Sequence, residues 1–120
     1  MSPTQRTLKA LRDRGAICQV VEHFNPWAKV RVALFGVIDI VALFPDAIMG
    51  VQTCDDSSHS KRRDKILASE KAKAGVRSGG QLQLWSWGQR GARGKRKVWT
   101  ARVEDFSVCG DRLVAFEREA

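Results

Sequence analysis

An aspartate stands inside an apolar run, Leu34-Phe35-Gly36-Val37-Ile38-Asp39-Ile40-Val41-Ala42-Leu43-Phe44. Apart from Asp39 the run is apolar on both faces, which predicts a central strand covered from both sides. On such a strand Asp39 shares a face with Val37 and Val41 and is flanked by Ile38 and Ile40. An unpaired carboxylate in those surroundings costs several kcal/mol, so it must be paired, protonated or bound to a metal. Two readings stay open at this point. Asp39 is either a structural acid, held by loop backbone or by an Arg of the first helix, or a functional group.

The elements around it follow from caps, turns and periodicity. Ser2-Pro3-Thr4-Gln5 predicts a helix start, with Ser at the cap and Pro at the first helical position. That helix runs to about Arg14, stops at Gly15 and carries a thin apolar stripe of Leu8, Ala10 and Leu11. Ala16 to His23 is predicted as a strand, and Phe24 to Val32 as a loop around Asn25-Pro26 and Trp27. Pro45-Asp46 turns the chain into a partner strand over Ala47 to Cys54. Asp55-Asp56-Ser57-Ser58 is a helix-start cluster, leading into a basic helix from about Ser60 to Ala74 that ends near Gly75. Gln81 to Trp87 alternates, with Leu82 and Leu84 on one face and Trp85 and Trp87 on the other. A Gly-rich basic loop over about 88–97 precedes a strand from Val98 to Val103, and a short mixed tail covers about 104–120. With 120 residues there is room for one domain, 1–120, of the α/β or α+β class: a mixed central sheet flanked by helices.

Charge narrows the partners. Lys plus Arg number 21 against 13 Asp plus Glu, a formal charge of +8. That excess points to a polyanion, nucleic acid first and an anionic membrane surface second. No apolar run approaches the ~20 residues of a membrane span. The N-terminus lacks an apolar signal core, and Asp13 with the well-formed helix start argues against an organelle transit peptide. Three widely spaced cysteines (Cys18, Cys54, Cys109), no CxxC pair and two histidines exclude zinc-finger spacing and a disulfide framework. A reduced, cytoplasmic setting is the expectation.

Pairing about Pro45-Asp46 brings Gln52, in Gly50-Val51-Gln52-Thr53-Cys54, near the level of Asp39. A carboxylate, an amide oxygen and the backbone carbonyl at Thr53 are hard donors of the kind magnesium or manganese accepts. Read alone, Gln52 is an ordinary polar strand residue. The clusters Lys61-Arg62-Arg63 and Arg93-Gly94-Lys95-Arg96-Lys97, with Arg90 nearby, are solvated charge or a path for a phosphate backbone. Helix N-terminal amides at Ser57 to Ser60 are a weaker phosphate signal. Trp85, Trp87 and Trp99 flank the second cluster, and two Trp at strand period read first as core. His59 reads first as a solvated loop residue, with an acid for a leaving oxygen as the alternative.

From Thr4 to about Trp99 these segments resemble small phage and archaeal-type Holliday-junction resolvase-like proteins of the PD-(D/E)XK nuclease superfamily. The resemblance is carried by Leu11-Arg12-Asp13-Arg14-Gly15, Val21-Glu22-His23, Leu34 to Ile40, Gly50-Val51-Gln52, the basic helix and Leu84-Trp85-Ser86-Trp87. It implies an αβββαβ core like that of restriction endonucleases, with Asp39 and Gln52 holding a magnesium or manganese ion. The family's Lys, two positions after the Glu or Gln, is replaced here by Cys54; Lys61 of the following helix is expected to stand in, with Arg62, Arg63 and Lys65 as neighbours. The acid that junction resolvases often carry on the first helix is missing, and Glu22 substitutes if its strand runs beside Asp39. The implied activity is metal-dependent hydrolysis of phosphodiester bonds in branched or structured DNA by a phage-encoded recombination enzyme, acting as a homodimer. A nuclease fold that binds DNA without cutting it is the alternative, and a structural protein with nonspecific nucleic-acid contacts is a third reading.

Overall fold

The sequence signals for turns and caps organise most of the chain. A computed structural model describes residues 1–118. The first helix, α1 (Pro3–Asp13), begins at Ser2, whose hydroxyl accepts from the Gln5 amide at 3.2 Å. Such a cap contributes about 1 kcal/mol. Gly15, at φ +90°, takes the left-handed conformation that ends the helix. The strands β1 (Ile17–Val20), β2 (His23–Asn25), β3 (Val30–Val32), β4 (Ile40–Phe44) and β5 (Ala47–Asp55) follow. A 3-10 turn over Asp56–Ser58 leads into α2 (His59–Leu67) and α3 (Glu70–Arg77). Three long strands complete the order: β6 (Gln81–Arg90), β7 (Val98–Cys109) and β8 (Arg112–Arg118).

Six strands form one mixed sheet in the order β1-β4-β5-β6-β7-β8, while β2 and β3 make a separate hairpin. Only β5 and β6 run parallel; the other neighbours are antiparallel. α1 lies on one face, where Leu8 and Leu11 pack with Ile40, Ala42, Met49, Val51 and Trp85. α2 and α3 cover the other face, where Ile66 and Ala72 pack with Val37, Cys54, Leu82, Leu84 and Phe106. The expected α+β domain with a mixed sheet between helices is therefore what the chain forms. Among the described residues no helix is long and apolar enough to cross a membrane.

Several expectations are corrected. The run Leu34–Phe44 is not one strand: Phe35 and Gly36 take positive φ (55° and 78°), and Leu34 bridges back to Ile38. Gly36 permits this tight turn, so the strand proper starts only after Asp39. Nor is β4 covered on both faces. Leu43 is 43% exposed, and Val41, Ile38, Ile48 and Val76 line an open apolar cleft of about 670 Å³. The loop predicted over Phe24–Val32 is the β2–β3 hairpin. The basic helix is broken at Ser69, whose hydroxyl caps α3 by accepting from the Ala72 amide at 3.1 Å. Gly75, expected as a stop, lies within α3. Gly88 to Arg90 belong to β6, which shortens the basic loop to 91–97. The tail predicted from Glu104 is instead the remainder of β7, a Gly110-Asp111 turn and β8; residues 119–120 of it lie outside the described residues.

Candidate metal centre and nucleic-acid interface

The hairpin about Pro45-Asp46 has the expected register, Phe44 opposite Ala47 and Ile40 opposite Val51. The Asp39 amide also donates to the Val51 carbonyl at 2.9 Å, and the Val21 amide donates to the Asp39 carbonyl at 2.9 Å. Asp39 thus sits at the head of β4 between β1 and β5, at the level of Gln52. One carboxylate oxygen, Oδ2, accepts from the Thr53 amide at 3.0 Å. Thr53 turns its own hydroxyl to the opposite face, 3.1 Å from the Thr7 hydroxyl of α1. Its side chain is therefore no ligand beside Asp39, and only its backbone is at hand.

Asp39 is 5% exposed. Burial first of all lifts its carboxyl to about 7; the Thr53 amide pulls it down, the neighbouring Glu22 carboxyl pushes it up, and Arg62 pulls it down. Glu22, which sequence reasoning held as a possible substitute acid, does lie beside Asp39, because β1 pairs with β4 through Val20 and Ile40. Glu22 also faces Arg31 of β3 at 3.5 Å. Gln52 lies on the sheet face covered by α2 and α3, in step with Gly50 and Cys54. It is fully buried, and among the described residues neither its amide oxygen nor its amide nitrogen has a hydrogen-bond partner. A buried amide left so costs ~1–3 kcal/mol or more, a deficit that a bound group would remove.

These donors fit a hard divalent cation by type: the Asp39 carboxylate, the orphaned amide oxygen of Gln52 and a second carboxylate at Glu22. Among the described residues no group of three or more His, Cys, Asp or Glu side chains gathers as a metal cluster. A cation would accordingly depend on the Gln52 amide. Cys54, two positions after Gln52, is buried, and burial pushes its thiol up to about 11.

Lys61 is not brought to this site. At about 100° per residue it lies roughly 200° round α2 from His59, which is buried against the sheet. Lys61 is therefore exposed, whereas Arg62, one residue on, faces Asp39 and Cys54 closely enough to lower both groups. Arg63 turns to Glu104 at 3.3 Å.

His59 is likewise corrected. It is buried, with Nδ1 2.6 Å from the Ser86 hydroxyl and Nε2 hydrogen-bonded to Glu104. The spacing His59, Arg62, Arg63, Ile66 was the available signal, since it puts the imidazole on the one apolar stripe of α2. Glu104 was hidden inside the supposed tail; its alternation with Phe106 on β7 marks the same buried face.

The basic residues divide into two sets. Arg90 is tied to Asp56 at 2.6 Å and to the Thr100 carbonyl, and Arg63 to Glu104. Arg93, Lys95, Arg96 and Lys97 project from the 91–97 loop, exposed and without an ion pair among the described residues. Trp85 is core and Trp87 donates to the Thr7 hydroxyl at 2.8 Å, as their strand period predicted. The carboxyl ends of β5 and β6, the amino ends of β4 and β7 and the loop 91–97 all lie at one end of the sheet, which is Asp39's end. Compared with protein-family models, with curated proteins and with solved structures, the chain matches none.

Proposed function

We propose that this chain is a metal-dependent DNA endonuclease of the Holliday-junction resolvase-like kind, acting on branched or structured DNA. The observation that carries the reading is the buried, unpartnered Gln52 amide at the level of the Asp39 carboxyl. Setting aside the β2–β3 hairpin, the order helix, three antiparallel strands of the main sheet, helices, parallel strand supports it as well. Asp39, Gln52 and the backbone at Thr53 would hold magnesium or manganese. A bound divalent cation would lower the pKa of a coordinated water and offset charge on the scissile phosphate.

The chain's own residues prepare that chemistry. The Thr53 amide fixes one carboxylate oxygen of Asp39, and the Glu22 carboxyl lies within hydrogen-bonding reach of the same side chain. Glu22 concentrates negative charge there, favouring a cation over a proton as pH rises above 7. Arg62 supplies positive charge next to the carboxylates, in the role the resemblance assigned to Lys61. The free cations of the 91–97 loop hold the phosphate backbone at the same end of the sheet.

The test is incubation with labelled four-way junctions and duplexes, with magnesium or manganese and with chelator. Metal-dependent incision that Asp39→Asn abolishes is expected. Tight binding without incision would instead favour a non-cutting DNA-binding protein. The neutral Cys54 thiol in place of the family's Lys is the observation on that side.

A further inference from the structure

The hairpin between β1 and β4 has no part in the core. β2 and β3 pair only with each other, Phe24 opposite Arg31 and Asn25 opposite Val30. Two strands alone are marginal in water, so local devices must hold them. Asn25 Oδ1 accepts from the Trp27 amide at 3.0 Å and from the Ala28 amide at 3.2 Å, closing the tip as an Asx turn. Pro26 fixes one backbone angle there, and Lys29 takes φ +55°. At the base, Arg31 faces Glu22, the carboxylate beside Asp39. The hairpin is thus a shaped projection rooted at the candidate metal centre.

What it projects is unusual. Trp27 is 95% exposed at the tip, and Phe24 and Val30 are more than half exposed on the arms. Trp27 held out by a built turn, with Phe24 and Val30 exposed on the same hairpin and none of the described residues covering it, makes an apolar patch of the kind that marks contact sites. Residues 23–38 contain no Asp or Glu; Lys29 and Arg31 follow Trp27, with Arg31 facing Glu22 at the base and its side chain still 68% exposed. Aromatic faces among cations, on a chain of charge +8, match the chemistry of unpaired nucleotides: bases to stack and phosphates to neutralise.

We infer that the 23–32 hairpin captures an unpaired nucleotide of the nucleic acid, with Trp27 stacking on the base and Lys29 and Arg31 on the flanking phosphates. The inference rests on the reading of the chain as DNA-acting and supplies its preference for strand ends and branch points over plain duplex. Paired bases are already stacked on both faces and offer Trp27 nothing.

Binding measured in chelator, where no incision is possible, tests this apart from catalysis. Wild type, Trp27→Ala, Trp27→Phe and Lys29→Ala/Arg31→Ala are titrated against a short oligothymidylate, a blunt duplex and phosphatidylcholine–phosphatidylserine vesicles. Trp27→Ala should bind the oligothymidylate about 5- to 150-fold more weakly, the effect of losing one base stack, with duplex binding within about twofold. Trp27→Phe should recover most of the loss, and the double variant should flatten the salt dependence. Unchanged single-strand binding by Trp27→Ala overturns the inference, as does an equal loss on duplex. It is equally overturned if the variant loses only vesicle binding, or if sedimentation shows that the ring joins two copies of the chain. Incision of junctions without any Trp27 effect would leave the nuclease reading standing and remove this one. Wild type that binds no nucleic acid removes both.

Discussion

The Thr53 amide donates to the Asp39 carboxylate, while the Thr53 hydroxyl meets Thr7 on the other side of the sheet. One residue thereby ties the helix α1 to the acid on the face of α2. The acid itself is held at a cost, because burial raises its pKa from 3.8 to about 7.

That rise sets a pH dependence. The folded state binds the Asp39 proton more tightly than the unfolded chain does, so this contribution is fully present below about pH 4 and is lost as pH climbs through 7. A rise from 3.8 to about 7 corresponds to about 4 kcal/mol at most. In chelator, Asp39→Asn should therefore be more stable than wild type at pH 8 and nearly equal to it at pH 4. Magnesium should raise the wild-type melting temperature, more at pH 8 than at pH 5, and leave the variant unmoved. A variant several kcal/mol less stable at pH 8, together with a wild type indifferent to metal, would make Asp39 a purely structural acid.

Arg62 and Lys61 differ by one position and should differ sharply in effect. Removing Arg62 takes away a charge that lowers Asp39, so Arg62→Ala should push that carboxyl higher and reduce incision by about ten- to a thousandfold. Lys61→Ala should stay within about threefold, because that side chain points away from the sheet. Single-turnover incision of a junction compares them; equal losses would refute the assignment.

Glu104 is the buried carboxylate on which His59, Arg63 and Arg102 converge. Glu104→Ala leaves His59 and Arg63 without their partner and should cost about 3–5 kcal/mol. Ser86→Ala removes only the hydroxyl at Nδ1 and should cost about 1–3 kcal/mol. Urea denaturation followed by tryptophan fluorescence gives both values, and a Glu104→Ala loss below that of Ser86→Ala would contradict the network.

Replacing Arg93, Lys95, Arg96 and Lys97 by neutral residues should weaken DNA binding regardless of sequence. If all four meet phosphates, the slope of log affinity against log salt should shrink by about 3 to 4. A wild-type slope in this variant would mark the loop as solvated charge. Arg90→Ala should act differently, through lost stability of its tie to Asp56.

Much of the candidate site is legible in the sequence, and the reasons are local. Pro45-Asp46 fixed a two-residue turn, and a turn of set length fixes register, which carries Gln52 to the level of Asp39. The alternation Leu82, Leu84 against Trp85, Trp87 likewise assigned faces, because strand period is two. Several features escaped. The break at Ser69 lies between two helical segments, and the cap by the Ser69 hydroxyl is what marks it. The turn at Phe35-Gly36 hides inside an apolar run, where hydrophobicity without periodicity cannot tell strand from turn. The β7–β8 hairpin was signalled by Gly110-Asp111 between apolar alternations, a signal diluted by Glu104, Asp105 and Asp111. His59 and Glu104 meet across 45 residues, and pairing at that separation leaves no trace in local pattern.

The lone parallel ladder has a kinetic consequence. Apart from the edge strand β1, each half of the sheet joins neighbours in sequence: β4 and β5 on one side, β6, β7 and β8 on the other. Joining the halves requires residues 56–80 to close first into a crossover, an entropic toll that the hairpins escape. Assembly should thus proceed as two meanders that dock late along Gln52 and Leu84, with the candidate site completed in the final step. Leu113→Ala, within a meander already formed, should then show most of its stability loss as slower refolding in stopped-flow measurements, whereas Leu84→Ala at the late ladder should act mainly by speeding unfolding. The reverse pattern would mean that the ladder forms first.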